Sequence, residues 1–131
     1  MVKLINLTSH SINLICEMDG GGEVEVEIPP SGIVARLKEE AKFIGVVSFE
    51  INGGVYHIPV ISKVLGGIEN LPPPKEGTVY IASLPVSQKA GRHDVLSIGE
   101  RILNSKGRTV KAKSLATPLS HKEVWKVGDQ T

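Results

Sequence analysis

Hydrophobic and polar residues alternate with a period of two along much of this chain. The clearest case is "EVEVEI" at 23–28, where Glu23, Glu25 and Glu27 share one side and Val24, Val26 and Ile28 the other. That spacing predicts a β-strand. "VKLINL" at 2–7 alternates in the same way, and "SINLIC" at 11–16 is a further apolar run. "EMDGGG" at 17–22 lies between two of these runs. Its glycines reach positive φ at no steric cost, so the pair predicts a hairpin. A phosphate-binding loop would need a helix after the glycines and a Lys beside a hydroxyl, and neither follows. "PPSG" at 29–32 ends the strand, because proline lacks a ladder donor.

"IVARLKEEAKFI" at 33–44 matches both helical and strand spacing. We read it as a short strand, "IVARL", and a polar turn at 38–42. "FIGVVSFEI" and "VYHIPVI" are strands joined by Asn52-Gly53-Gly54, and Asn-Gly between apolar runs is the strongest short hairpin signal. From 63 to 77, "KVLGGIENLPPPKEG" reads as an irregular loop, its prolines held in an extended, stiff helix. A stiff spacer crossing the sheet fits better than a ligand for proline-binding domains, since the segment lies mid-domain. "TVYIASL" at 78–84 is apolar on both faces and predicts a central strand. "PVSQKAG" at 85–91 allows one or two helical turns, with Pro85 at the start and Gly91 as the stop. Two runs flank Ser105-Lys106-Gly107 as a last hairpin.

The expected fold is therefore mainly β: a compact barrel or two-sheet sandwich of eight or nine short strands with one short helix. One domain over 1–115 and a tail over 116–131 account for the chain. Trp125, in the tail, packs back onto the domain or anchors another chain.

Composition narrows the function classes. Only 4% of residues are aromatic, which leaves few groups to stack on bases or sugars. The single Cys16 excludes an internal disulfide and a cysteine-based zinc cluster, and reads as a small buried hydrophobe. No apolar stretch is long enough for a signal peptide or a membrane helix. We expect a protein of the producing cell's cytoplasm or of a virion, without membrane insertion. Lys and Glu dominate the charges, with only two Gln, a thermophile-like bias. Net charge is +1, yet residues 1–100 carry 8 basic and 12 acidic side chains and residues 101–131 carry 7 basic and 2 acidic. Ends of opposite sign can steer a partner or a second copy.

Three groups of side chains are candidates for chemistry. "GRHDVL" at 91–96 sets Arg92, His93 and Asp94 side by side. A nucleophile–base relay needs convergent side chains, which three neighbours in sequence rarely supply. A catalytic reading needs His10, with Thr8, or Ser83, with Tyr80, to meet them. The alternative is a tether: Asp94 accepting backbone N–H bonds in its turn, and Arg92 pairing with a carboxylate or with carbonyls of the proline loop. The second group is a ladder of Thr109, Lys111 and Lys113 on one strand face with Arg108 nearby, in which the like charges at i and i+2 lie about 6.8 Å apart. It suits a nucleic-acid backbone, or the acidic ladder 23–27 of another copy. The third group is the histidines. None of His10, His57, His93 and His121 stands at zinc spacing, so neither a metal nor a cofactor is expected. His57 reads as a strand residue with one hydrogen-bonded nitrogen.

Several stretches also occur together in one order: "INLTSHSINL", "IPPSG-VAR", "GGIENLPPPKEGTVYIASLPVSQ" and "GRHDVLSIGE". In this the chain resembles a family of small uncharacterised proteins of phages, viruses and microbial chromosomes. That family opens on an Asn-Leu-Thr-Pro-His motif and carries LPxP, GTxYIxS and RxDVL motifs. The resemblance covers about residues 4–108 and falls on Asn6, Thr8, His10, Pro30, Ser31, Gly32, Arg36, Leu71, Pro72, Gly77, Thr78, Tyr80, Ser83, Arg92, Asp94 and Gly99. Ser9, His93 and Ile98 depart from it, standing where Pro, Asp and Pro are usual. It implies a viral or mobile-element context rather than a mechanism.

The expectation is then a non-enzymatic structural or accessory protein of a virus or mobile genetic element. It would act by self-association or by contacts with other virion or accessory proteins. The alternatives are a nucleic-acid-associated protein using Arg108, Lys111 and Lys113, and a small enzyme with a site at His10, Arg92, His93 and Asp94.

Overall fold

The computed structural model describes residues 1–120. Contacts divide the chain into two compact units, one of Met1–Arg36 with the chain from Ile68 onward, the other Leu37–Gly67. Among the described residues the fold is mainly β, with no closed barrel.

The first unit holds two four-stranded sheets. In one, β1 (Lys3–Asn6), β6 (Thr78–Ile81), β7 (Val95–Ile98) and β10 (Leu115–Ala116) lie in that order. β1 and β7 both run parallel to β6, and β10 runs antiparallel to β7. Parallel neighbours need a crossover, and α1 (Leu84–Ala90) supplies it between β6 and β7. Pro85 opens that helix, and Gly91, at φ 59°, closes it by donating its N–H to the Ser87 carbonyl. β6 is buried at all four positions, as its two-sided apolar pattern predicts, but it stops at Ile81 and Leu84 already starts the helix.

The other sheet has the order β3 (Glu23–Ile28), β2 (Ile12–Glu17), β9 (Thr109–Ala112), β8 (Arg101–Leu103). The two hairpins expected from the glycine-rich turns are present as β2–β3 and β8–β9, antiparallel. The sheets meet over one core in which Ile12, Leu14 and Ala112 pack with Ile81, joined by Leu4, Cys16, Ile28, Ile98 and Leu115. Strand alternation turns Ile12, Leu14 and Cys16 inward and leaves Ile15 outward with Glu25 beside it. The chain crosses from one sheet to the other at Gly99–Glu100 and returns at Lys113–Ser114. Gly99 donates to the Ser114 carbonyl there and Lys113 to the Glu100 carbonyl. A Cβ on Gly99 would land on the Ser114 Oγ and stand 3.2 Å from its carbonyl oxygen, so this corner admits only glycine without a shift.

The second unit is a ribbon of two strands, β4 (Arg36–Ile51) and β5 (Gly54–Glu69), each of 16 residues. Its turn is Asn52-Gly53, with φ of 52° and 81°, the mirror-image geometry that matches strand twist. Two expectations fail here. β4 passes through 38–42 without a turn, and β5 continues to Glu69, so the irregular loop shrinks to 70–77. The reason is cross-strand pairing, which holds Lys38–Lys42 extended although their own composition favours a turn. Among the described residues the strands number ten, and the two of the ribbon are long. Leu115 and Ala116, at the expected start of the tail, form β10. Trp125 and His121 lie outside the described residues.

Candidate functional site

The "GRHDVL" loop leads from α1 into β7. Arg92 extends its guanidinium along Asp94 as a two-pronged pair, Nε donating to Oδ1 at 2.9 Å and Nη2 to Oδ2 at 2.7 Å. Its Nη1 donates to the Pro72 carbonyl at 2.9 Å. Asp94 is buried and hands its own carbonyl to the Tyr80 N–H of β6. The Tyr80 hydroxyl donates to the Pro73 carbonyl at 3.4 Å. The proline segment is thus fastened twice to the sheet, as a spacer would be. The expected partners of Arg92, a carboxylate and a proline-loop carbonyl, are both present. Those of Asp94 differ: its carboxylate accepts from Arg92 instead of from the turn's backbone. The planar fork of the guanidinium matches two carboxylate oxygens at once, and no single backbone N–H can.

His93 is exposed at the rim of an open depression of about 680 Å³, between Pro74–Thr78 and Gly91–Asp94. His10 is also exposed, but it lines a different depression of about 280 Å³ with Thr8, Ile98 and Lys111. The geometry therefore keeps His10 and His93 in separate depressions. Both oxygens of Asp94 and three donors of Arg92 are already engaged.

"NLTSH" is a second knot. Asn6, 1% exposed, donates Nδ2 to the carbonyls of His10 and Ile28 and accepts on Oδ1 from the Thr8 N–H and hydroxyl. Its backbone carbonyl takes the Ser31 N–H. One buried amide thereby holds the end of β1, the following turn and the end of β3 together. The sequence marks Asn6 only through the resemblance; nothing in its local pattern shows that Ile28 would lie beside it.

The two charged ladders lie on the same outer face of one sheet. Lys111 Nζ reaches across β2 to Glu25 Oε1 at 2.8 Å, with both side chains close to half exposed. Lys111 and Lys113 line a shallow depression together with Glu17, Glu23, Glu25 and Glu100. The surface is mixed in sign rather than a basic stripe, because β2 places the acidic and basic strands two positions apart. Arg108 is exposed in the turn before β9, where its N–H donates to the Asn104 side chain.

His57 accepts or donates one hydrogen bond, to the Ser48 hydroxyl at 2.7 Å across the ribbon. Among the described residues no three His, Cys, Asp or Glu side chains gather as a metal site requires, and no helix is long and apolar enough to cross a membrane.

The ribbon carries the largest chemical anomaly. Among its described residues, eleven large apolar side chains are exposed, from Phe43 and Ile44 near mid-strand to Ile51 and Val55 at the turn and Val64 in β5. Phe49 and Tyr56 face each other across it at 5.7 Å. Taking about half of a large side chain's area each, these residues offer roughly 900 Å² of apolar surface over the two faces of the ribbon, so that one face alone reaches the roughly 300–600 Å² of the largest patch on a typical monomer. The sequence contained this signal in "FIGVVSFEI" and "VYHIPVI", which are apolar at both alternating positions. From sequence it reads as a strand hairpin, and the structure leaves its apolar side chains exposed. Comparison with family models, with curated proteins and with solved structures finds no match to this chain.

Proposed function

We propose that this chain is a non-enzymatic structural or accessory protein of a virus or mobile genetic element that works by self-association. The observation that supports the reading is the apolar ribbon of Leu37–Gly67. A lone two-stranded hairpin is marginal in water, and among the described residues this one has no third strand beside it and exposes large apolar side chains. A surface of that size gains most by being removed from water against another chain. The viral or mobile-element context comes from the resemblance of the NLTSH, LPxP, GTxYIxS and RxDVL motifs.

The other two readings have less support. Lys111 is engaged by Glu25, and Lys113 stands among carboxylates, which weakens a phosphate-binding ladder. Arg92 and Asp94 neutralise one another, which weakens a catalytic loop. Light scattering of the full chain at low and high salt tests the proposal. Oligomers that persist in both conditions without nucleic acid support it, since apolar contacts are not screened. A monomer that retains DNA or RNA with a steep salt dependence refutes it. Detection of the chain in purified particles tests the context.

A further inference from the structure

The two faces of the ribbon differ. The Ser48–His57 hydrogen bond and the Phe49–Tyr56 ring contact set the register near the turn. Strand alternation then places Phe43, Val47, Phe49 and Ile51 of β4 on one face with Tyr56 and Ile58 of β5. That face has no charged residue from Phe43 to Ser62. The opposite face of the same stretch carries Glu50, His57 and Ser48. One face is built for an apolar environment and the other for a wetter one.

We infer that the uncharged face of the ribbon is a docking surface for the same face of a second copy of this chain, the two ribbons stacking as a four-stranded, two-layer sandwich. The inference rests on the self-association reading and names its partner and its contact.

Area supports it. The six named side chains are each 40–62% exposed, so the face offers on the order of 500 Å² per copy and ~1,000 Å² per pair. That reaches the size at which specific interfaces begin. Symmetry supports it too: two-fold pairs use one patch on both subunits, and a face with no charge repels no copy of itself. A bilayer is the competing occupant. Among the described residues the ribbon has two open edges, whose N–H and C=O groups would go unpaired in hydrocarbon. The wetter face, with Ile44, Val46, Val55 and Ile61 exposed on it, is also poorly suited to a water-filled lumen.

The test compares the wild-type full chain with F49E/I58E on the uncharged face and V46E/I61E on the other, by light scattering at several concentrations. Circular dichroism and the melting transition check that the first unit stays folded. The expected result is a wild-type dimer or higher oligomer, dissociation shifted at least tenfold toward monomer by F49E/I58E, and a smaller shift for V46E/I61E. An oligomer indifferent to F49E/I58E overturns this contact while leaving self-association intact. A wild-type chain that is monomeric at all concentrations overturns both. A wild-type monomer that floats with phosphatidylcholine vesicles assigns the face to lipid and overturns the second copy. If F49E/I58E does not fold, a V47C variant in a C16S background replaces it. A short bis-maleimide then links two copies of V47C well above the level reached with V46C, and equal linking refutes the stacking.

Discussion

Removing the Asp94 carboxylate separates a tether from a catalytic loop. In Asp94→Ala the Arg92 guanidinium loses two charge-assisted hydrogen bonds and keeps only the Pro72 carbonyl. Breaking a fully buried pair by removing one partner costs about 3–5 kcal/mol. Here the Arg92 side chain is 23% exposed and Asp94 9%, so the stranded guanidinium recovers some water. Discounting for that access leaves about 2–3 kcal/mol. For a chain of this size that corresponds to a fall in Tm of roughly 10 °C. Arg92→Ala strands the more buried group and frees the proline segment as well, so it costs more, about 3–5 kcal/mol. Arg92→Lys keeps the charge, loses the fork, and falls between wild type and Arg92→Ala. The double variant is less damaged than the sum of the singles, with a coupling of at least about 1 kcal/mol. Thermal and urea unfolding followed by circular dichroism measure all four at one protein concentration, because association shifts apparent stability. An Asp94→Ala transition within about 1 °C of wild type, or a coupling near zero, would refute the tether.

Three further substitutions probe the frame. Asn6→Ala leaves the His10 and Ile28 carbonyls and the Thr8 donors without their partner, and costs about 3 kcal/mol; Asn6→Asp fares little better, since it faces two carbonyls with a carboxylate. Urea midpoints of the two variants check this, and a change in midpoint too small to resolve contradicts it. Gly99→Ala drives a methyl into Ser114 at the corner between sheets and costs about 1–3 kcal/mol. Adding Ser114→Ala recovers only part of that, because the Ser114 carbonyl stays in the way. Lys111→Ala removes an exposed ion pair and changes stability by less than about 1 kcal/mol, an effect that disappears in high salt.

What could be read in the sequence was whatever depends on neighbours a few residues apart. Glu23–Ile28 alternates and is a strand; Gly20–Gly22, Asn52-Gly53 and Gly107 supply positive φ and are turns; Pro85 and Gly91 bracket the helix. These are steric and solvation preferences of a few residues, and they hold wherever the segment lies in space. Local pattern misled where partners were distant. Lys38–Lys42 has the composition of a turn, yet a strand some twenty-five residues further on holds it straight. The parallel neighbours of β6, the reach of Arg92 to Pro72 and of Asn6 to Ile28, and the meeting of Glu25 with Lys111 follow from topology. Such contacts join residues whose separation along the chain carries no periodic mark, and their free energy appears only once loops have closed. Burial is decided in the same way. Val24 and Val26 of an edge strand and the apolar residues of the ribbon have the composition of a core, but whether they are covered depends on what packs against them, which no stretch of sequence encodes alone.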